Sequence, residues 1–468
     1  MYDKTNCPVH GQGGIRMKPI SREVFRTYDI RGVVDRDFDE QWVERLGRAC
    51  GQYFLERGSK TAVVGHDCRH SSPGYAEALT RGLNGTGVDV VTIGQVSSPA
   101  FYWAVTKLGE TAGVMITASH NPSEYNGFKV WQGISTIHSD EIQDVFELMD
   151  KGDFPEGEGS ARHEDMLVKY VDELSGDVTF GKPLKVVVDG GNGTGGTLTA
   201  DALEKAGAEV VRIFCEPDGD FPNHHPDPVV EKNMVALQEA VLKEKADIGI
   251  GLDGDGDRVG VVTEKGELLF GDQLVAIYAR DILKTFPGAS IIGEVKCSHL
   301  MYEDIRAHGG DAVMWKTGHS LIKARMREIG AKFAGEMSGH MFFADRYYGF
   351  DDATYAALRI VEILSRSDKP MSEQLNWPKT WSTPEIRVDC PESMKERVVG
   401  KAVEYFSSKF DAIAIDGVRA VFPDGWGLIR ASNTQPVLVL RFEAETPERL
   451  NEIRSMFEEK LKTWIAEG

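Results

Sequence analysis

From Val43 onward the chain alternates between helical and extended hydrophobic periodicity, and the alternation starts afresh twice, which confines it to α/β architecture with parallel strands. In the first run Val43 to Arg57 reads as a helix, Thr61 to Gly65 as a strand, Tyr75 to Leu83 as a helix and Val88 to Ile93 as a strand. A helix at Phe101 to Leu108 and a strand at Ala112 to Thr117 follow. The polar, Gly-rich stretch from Lys151 to Ser160 marks the approach to a boundary. A second run opens with the strand Leu184 to Asp189 and continues through Leu252, and a third opens with the helix Gln273 to Thr285 and reaches Trp315. The last segment breaks the pattern: a strand at Glu385 to Val388, a helix at Met394 to Lys409, short strands to Glu443 and a closing helix from Pro447. Four domains are expected, at residues 1–165, 166–267, 268–378 and 379–468, the first three α/β and the last α+β.

A chain of 468 residues matches that number at roughly 100–200 residues per domain. Its 53 basic and 73 acidic residues leave a net charge of −20, which repels nucleic acid and anionic membrane over most of the surface. An anionic small ligand would need basic groups gathered locally against that background. There is no apolar run of about 18 residues, and the opening residues lack the basic-then-apolar order of a signal peptide, so a cytoplasmic protein is expected. The six cysteines have no C-x-x-C spacing and are expected to be mostly buried, reduced thiols.

Four segments carry chemistry. Gly113-Val-Met-Ile-Thr-Ala-Ser-His-Asn-Pro122 is an apolar strand running into a polar loop, and ligands of open parallel sheets sit outside the carboxyl ends of strands. Ser119 and His120 are therefore where a reactive group is presented, although a cap or a turn explains an isolated Ser-His pair as well. Ile248-Gly-Ile-Gly-Leu-Asp-Gly-Asp-Gly-Asp-Arg258 ends a strand in three carboxylates at alternate positions, which repel unless a divalent cation joins them; hard oxygen ligands suit Mg²⁺. An EF-hand is excluded, because Arg258 stands where its sharp turn needs Gly and the following residues read as strand. Lys332 to His340 offers Glu336, Ser338 and His340 within five residues, a carboxylate and a hydroxyl suited to sugar hydroxyls. Gly427 to Pro436 gathers Arg430, Ser432, Asn433 and Thr434 in a loop, the makings of a phosphate cradle or of an ordinary hairpin.

A fifth segment points elsewhere. Gly191-Asn-Gly-Thr-Gly-Gly196 follows a strand, precedes a helix and has Glu216 twenty residues beyond its last glycine, which meets the dinucleotide-binding fingerprint. The same glycines also suit a tight strand-to-helix turn that binds no nucleotide.

Taken in order, Thr117 to Pro122, Asp253 to Arg258, Gly335 to His340 and Arg430 to Thr434 resemble the four signature loops of the α-D-phosphohexomutase family. Phe25 to Gly32, Pro222-Asn-His-His-Pro-Asp-Pro228 and Trp315 to Lys323 are most similar to its bacterial phosphomannomutase/phosphoglucomutase group. The resemblance spans nearly the whole chain. It implies three related mixed-sheet α/β domains plus a C-terminal α+β domain around one central cleft. It implies Ser119 as the phosphoserine, and Asp253, Asp255 and Asp257 holding one Mg²⁺ per chain with a Ser119 phosphate oxygen as a further ligand. Glu336 and Ser338 would grip sugar hydroxyls and the Arg430 loop the distant phosphate. Tyr28, Arg31, Lys129, Arg258, Lys296 and His319 match other substrate-contacting positions.

The implied reaction interconverts hexose 1-phosphates and 6-phosphates of mannose and glucose, through a 1,6-bisphosphate that reorients in the cleft and also serves as activator. His120, Lys129, His319 and His340 are candidate acids and bases, with Lys129 and His319 favoured. Met337 resembles the mannose-accepting subgroups. A monomer acting on a phosphosugar, without nucleic acid or membrane, is expected. The rivals are a phosphoglucosamine mutase, a Mg-dependent sugar phosphatase, a nicotinamide-dependent dehydrogenase using Gly191 to Gly196, and a non-catalytic sugar-phosphate binder. His66 and Cys68 depart from the family pattern, with Arg69 in place.

Overall fold

The computed structural model describes residues 18–432 and 436–467, and four sheets follow one another along them. The first runs in the order Ile30–Val33, Tyr125–Gln132, Ala112–Ile116, Thr61–His66, Asp89–Gln95, Ala161–His163, with Ser135–Thr136 folded back onto Tyr125–Gln132. The second runs Leu268–Leu269, Val259–Thr263, Ile248–Leu252, Lys185–Asp189, Glu209–Ile213, and the third Asp311–Trp315, Ser290–Glu294, Phe333–Gly335, Met341–Phe343. The fourth is antiparallel, built on Val437–Ala444 and Gly425–Ala431 and covered by the helices Glu392–Ser407 and Pro447–Ala466.

The expected strands and helices of the first three runs are present, with ends moved by a few residues. Helix starts are set by caps: Asp39 Oδ1 accepts from Trp42 N, and Ser97 Oγ from Ala100 N. Leu268–Leu269 pairs with Val261 and Val262, so the second sheet runs two residues past the boundary expected at 267.

In each of the first three sheets parallel pairing runs from one edge inward, and the opposite side is antiparallel, so the sheets are mixed. In each, one parallel strand turns back into an antiparallel neighbour: Ala112–Ile116 into Tyr125–Gln132, Ile248–Leu252 into Val259–Thr263, and Phe333–Gly335 into Met341–Phe343. In the fourth sheet Gly425–Ala431 likewise turns into Val437–Ala444. The four connections are the four chemistry-bearing segments. A loop closed by hydrogen-bonded strands on both sides is held at both ends, which fixes a side chain better than a free connection does.

One apolar core runs continuously from the first sheet through the second and third units, whereas the fourth has its own. A small cluster of Val295, Trp426 and Leu428 joins them. At the centre of the large core lies the helix Ala353–Ser365, which packs on Leu167–Asp177, Gly196–Ala206 and Gly271–Thr285. It is buried on nearly every face, Arg359 and Glu362 included, and the sequence reading did not mark it. Arg359 is buried in it and forks onto both carboxylate oxygens of Asp345, at 3.0 and 2.9 Å.

Among the described residues no helix is long and apolar enough to cross a membrane. Cys50, Cys215, Cys297 and Cys390 are free and buried and Cys68 is free and half-buried; Cys7 lies outside the described residues.

The division of cores has a thermal consequence. Leu358→Ala should cost about 2–5 kcal/mol and lower the transition of the first three units, leaving that of the fourth in place by calorimetry. An equal shift of both would contradict the division.

Candidate active site

The strand Ala112–Ile116 is entirely buried, and the chain leaves it through a loop shaped by one arginine. Arg69 is fully buried. Its Nη2 donates to the carbonyls of Ser119 and Asn121 at 2.8 and 2.6 Å, its Nη1 to those of Pro122 and Tyr125 at 2.6 and 3.1 Å, and its Nε to Asp67 Oδ2 at 3.1 Å. The departures at His66 and Cys68 thus leave the loop's support intact. Ser119 takes φ +51°, the left-handed region that non-glycine residues seldom occupy, with its amide on Thr117 Oγ1 at 2.9 Å. Its hydroxyl, on a residue only 4% exposed, donates to Asp253 Oδ2 at 2.8 Å and sits 3.1 Å from His120 Nδ1.

Asp253, Asp255 and Asp257 are all buried, with one oxygen of each within 4.8 Å of the others. Lys129 Nζ donates to Asp255 Oδ2 at 2.6 Å, Asp257 Oδ2 at 2.7 Å and Ser98 Oγ at 3.1 Å. Burial works against its charge, but the two carboxylates hold its pKa well above the ordinary value. Lys129 is therefore a locked ammonium, which speaks against its expected use as a base. Burial, reinforced by Asp257 and Asp255, pushes the Asp253 carboxyl well above the usual range. Burial acts on Asp257 in the same sense, but Lys129 and His340 outweigh it and keep that carboxyl low. Asp255 Oδ1 is buried without a hydrogen-bond partner. Three hard oxygen donors, one of them unmatched, fit a divalent cation.

The glycine turn that imitates a dinucleotide site is filled by this loop. Thr194 N donates to Gly254 O at 3.0 Å, and a Cβ on Gly193 would meet the same oxygen at 2.5 Å. A Cβ on Gly195 would lie 3.0 Å from Gly256 Cα. The backbone of the carboxylate loop occupies the space a pyrophosphate needs, which overturns the nucleotide reading.

In the third loop Glu336 Oε1 accepts from Gly318 N at 2.8 Å, and Glu336 Oε2 and Ser338 Oγ lie 2.9 and 3.0 Å from His340 Nδ1. His340 Nε2 reaches Asp257 Oδ1 at 3.1 Å. Burial lowers its pKa, yet Asp257, with Glu336 behind it, raises the net value to about 9, making His340 a cation at neutral pH. Arg258 Nε stands 3.3 Å from His340 Nε2 and 4.0 Å from Asp253 Oδ2. Burial, then Arg258 and Arg31, keep His120 neutral; burial, then Lys323 and Lys129, do so for His319.

Arg430 is buried, with Nε on Asp416 Oδ2 at 2.9 Å and Nη2 buried without a partner. Lys395 Nζ donates to Ser432 O at 2.7 Å. Asn433 and Thr434 lie outside the described residues. Of three further expected residues, Tyr28 and Lys296 bridge units and Arg31 stays within the first. Tyr28 donates its hydroxyl to Thr317 O at 2.8 Å, Lys296 Nζ reaches Glu385 Oε2 at 3.2 Å, and Arg31 reaches Asn121 Oδ1 at 2.7 Å and pairs with Asp29.

Sequence reasoning missed Ser98, which donates to Asp255 Oδ2 at 2.5 Å, and Asp416, which joins Arg430 to Thr317 N at 3.0 Å. It also missed Glu294, whose carboxylate accepts from Lys296 N and Thr317 Oγ1, both at 2.8 Å. Glu294 ends a parallel strand, a position that could have signalled it. Ser98 and Asp416 carry no such mark.

Comparison with known proteins agrees with this arrangement. Four models of the phosphoglucomutase/phosphomannomutase domains match: α/β/α domain I over residues 22–156, domain II over 168–266, domain III over 270–380 and the C-terminal domain over 385–460. A phosphomannomutase/phosphoglucomutase of Pseudomonas aeruginosa is 44% identical over 442 residues, covering 94% of this chain and 95% of its own. A phosphoglucomutase of Neisseria gonorrhoeae is 42% identical, covering 94% and 97%. A crystal structure of a phosphoglucomutase/phosphomannomutase family protein from Burkholderia thailandensis superposes with a TM-score of 0.89 at 40% identity, over 95% of this chain and 98% of that one. With all four domain models matched in order, the chain belongs to the phosphoglucomutase/phosphomannomutase family.

Proposed function

We propose that this enzyme interconverts the 1- and 6-phosphates of glucose and mannose, with Ser119 as the phosphoryl carrier and a hexose 1,6-bisphosphate that turns round in the cleft. The observation that carries the reading is a nearly buried hydroxyl 2.8 Å from Asp253 Oδ2, beside a carboxylate trio with an unmatched oxygen at Asp255. The names of the closely similar relatives support it.

Asp253, Asp255 and Asp257, with a Ser119 phosphate oxygen, would hold one Mg²⁺ per chain. Bound there, the cation supplies Lewis-acid stabilisation of charge spread over the transferring phosphoryl oxygens. Lys129 and Arg258 add fixed positive charge on the same side, and Arg69 holds the Ser119 backbone so that the hydroxyl does not wander. Glu336 and Ser338 orient the sugar through its hydroxyls. His319 and His120, as neutral imidazoles, are suited to accept a proton from the attacking sugar hydroxyl, and His340, as a cation, to supply one to the departing oxygen.

The unpaired Arg430 Nη2 is suited to the phosphate that is not reacting, and Lys296, Ser432, Asn433 and Thr434 would add donors to it. Tyr28 and Arg31 would contact the substrate as well. One distal site then serves whichever end of the bisphosphate is turned away from Ser119. The bisphosphate also primes a dephosphorylated Ser119. We take the enzyme to act in the cytoplasm as a monomer on phosphosugars; its net charge of −20 disfavours nucleic acid and anionic membrane as partners.

Ser119→Ala should abolish phosphoprotein, read by intact mass, and lower turnover by orders of magnitude while the melting temperature holds; near-normal turnover rejects the carrier. Assays on glucose, mannose and glucosamine 1-phosphates with free-phosphate detection separate the mutase from a phosphoglucosamine mutase and from a phosphatase. Asp255→Asn should weaken Mg²⁺ dependence more than sugar affinity, measured by metal titration of the rate. Arg430→Ala should raise KM for both sugars in both directions, and a one-directional effect contradicts a shared distal site.

A further inference from the structure

We propose that Asp351 is a positioning residue that sets the tautomer of His319, holding the proton on Nδ1 and leaving Nε2 as the ring's acceptor. The inference rests on the reading of His319 as a group that meets the sugar.

His319 is the first residue of the helix His319–Ile329, and its ring packs edge-on against Tyr28 and tilted against His340, each 5.7 Å away between ring centres. A helix N-terminus disfavours an imidazolium, in the same sense as burial and the ammonium groups of Lys323 and Lys129, so the ring is neutral. A neutral imidazole must place its one proton on one nitrogen, and its neighbours decide which.

The neighbour on the Nδ1 side is a carboxylate. Asp351 is fully buried, its Oδ1 accepts from Lys323 Nζ at 3.0 Å, and its Oδ2 has no hydrogen-bond partner. That unmatched oxygen lies 3.7 Å from His319 Nδ1. With the proton on Nδ1, a small closure gives the carboxylate its missing donor. With the proton on Nε2, two lone pairs face each other in a buried place. Ser320 Oγ, 3.5 Å from Nδ1 and 3.1 Å from Thr136 Oγ1, can donate or accept and does not decide the matter.

Lys323 holds the other oxygen of that carboxylate in an ion pair. It is itself buried, with Nζ 4.7 Å from the centre of the Tyr102 ring in the first unit. The charged groups facing His319 are thus Lys323, Lys129, Asp351 and Asp257, with His340 beside them. Asp257, His340 and Asp351 also bring ligand atoms within 4.8 Å of one another. With Lys323 on Asp351 and Arg258 Nε 3.3 Å from His340 Nε2, cations already surround that group, and a metal there is disfavoured.

Two measurements on the full chain test the role. The ¹⁵N spectrum of histidine-labelled protein, assigned with His319→Asn, should show a protonated Nδ1 and an unprotonated Nε2 for His319, and Asp351→Asn should weaken that preference. A wild-type ring protonated on Nε2 overturns the proposal. In kinetics Asp351→Asn should lower kcat roughly 10–100-fold with KM within about twofold. The same change in a His319→Asn background should cost less than about twofold more. Full additivity overturns the proposal, because a merely structural role does not depend on the imidazole. Should the single variant fail to fold, Asp351→Asn with Lys323→Met removes both buried charges, and the wild-type spectrum still decides. Unchanged activity in His319→Asn beside the expected tautomer refutes the role given to His319, not the tautomer assignment.

Discussion

Three carboxylates share a space in which their ligand oxygens lie within 4.8 Å of one another and water scarcely enters. At an effective dielectric constant of 20, two like charges 4 Å apart repel by about 4 kcal/mol, so Asp253, Asp255 and Asp257 can coexist only where the rest of the chain brings them donors and cations. Those groups come from elsewhere in the sequence: Ser98, Ser119 and Lys129 from the first unit and His340 from the third. The trio is thereby a junction as well as a site. Units that fold around their own sheets meet where the charges must be balanced, and the Ser119 hydroxyl is placed by the same contacts.

The loops at this junction share one construction. Each leaves a buried strand and returns as its antiparallel neighbour, from Ile116 to Tyr125, Leu252 to Val259, Gly335 to Met341 and Ala431 to Val437. Close backbone approach locks them together further: Gly254 lies so near Ser119 O that a Cβ would stand 2.5 Å from it, and Val259 N donates to Gly339 O at 3.1 Å. The fourth loop is tied more lightly. Its unit has a separate core and meets the third through Val295, Trp426 and Leu428, the Arg419 bonds to the carbonyls of Val295 and Cys297, and the bridge from Arg430 through Asp416 to Thr317. Under the proposed reaction, a fourth unit with its own core would suit an intermediate that must be let go, turned and held again.

Much of this was legible because the relevant signals are local. An apolar run ending in Thr117-Ala-Ser-His, or in Leu252-Asp-Gly-Asp-Gly-Asp, declares both a strand and what its end presents. Mixed sheets were expected from the family resemblance alone, because a strand's direction depends on its partner and leaves no period of its own. The helix Ala353–Ser365 was not marked in the sequence, and its place at the centre of three helices belongs to the tertiary structure. Gly191 to Gly196 was ambiguous for a related reason: glycines permit close backbone approach whatever approaches, and here Gly254 and Gly256 do. Lys129 illustrates a third limit, since a lysine in a strand could be base, ligand or counter-ion until two carboxylates are found on it.

What the amino-acid order determined by itself was the succession of α/β units, the closing α+β unit and the inventory of reactive groups at their strand ends, because side-chain period and loop chemistry are properties of a few neighbouring residues. Which group neutralises which, which imidazole is charged and which nitrogen of His319 faces a carboxylate were decided only by tertiary structure. Burial and charge pairing depend on distances between residues as far apart in the chain as Ser119 and Asp253, or Asp257 and His340, and no short stretch of sequence encodes those distances.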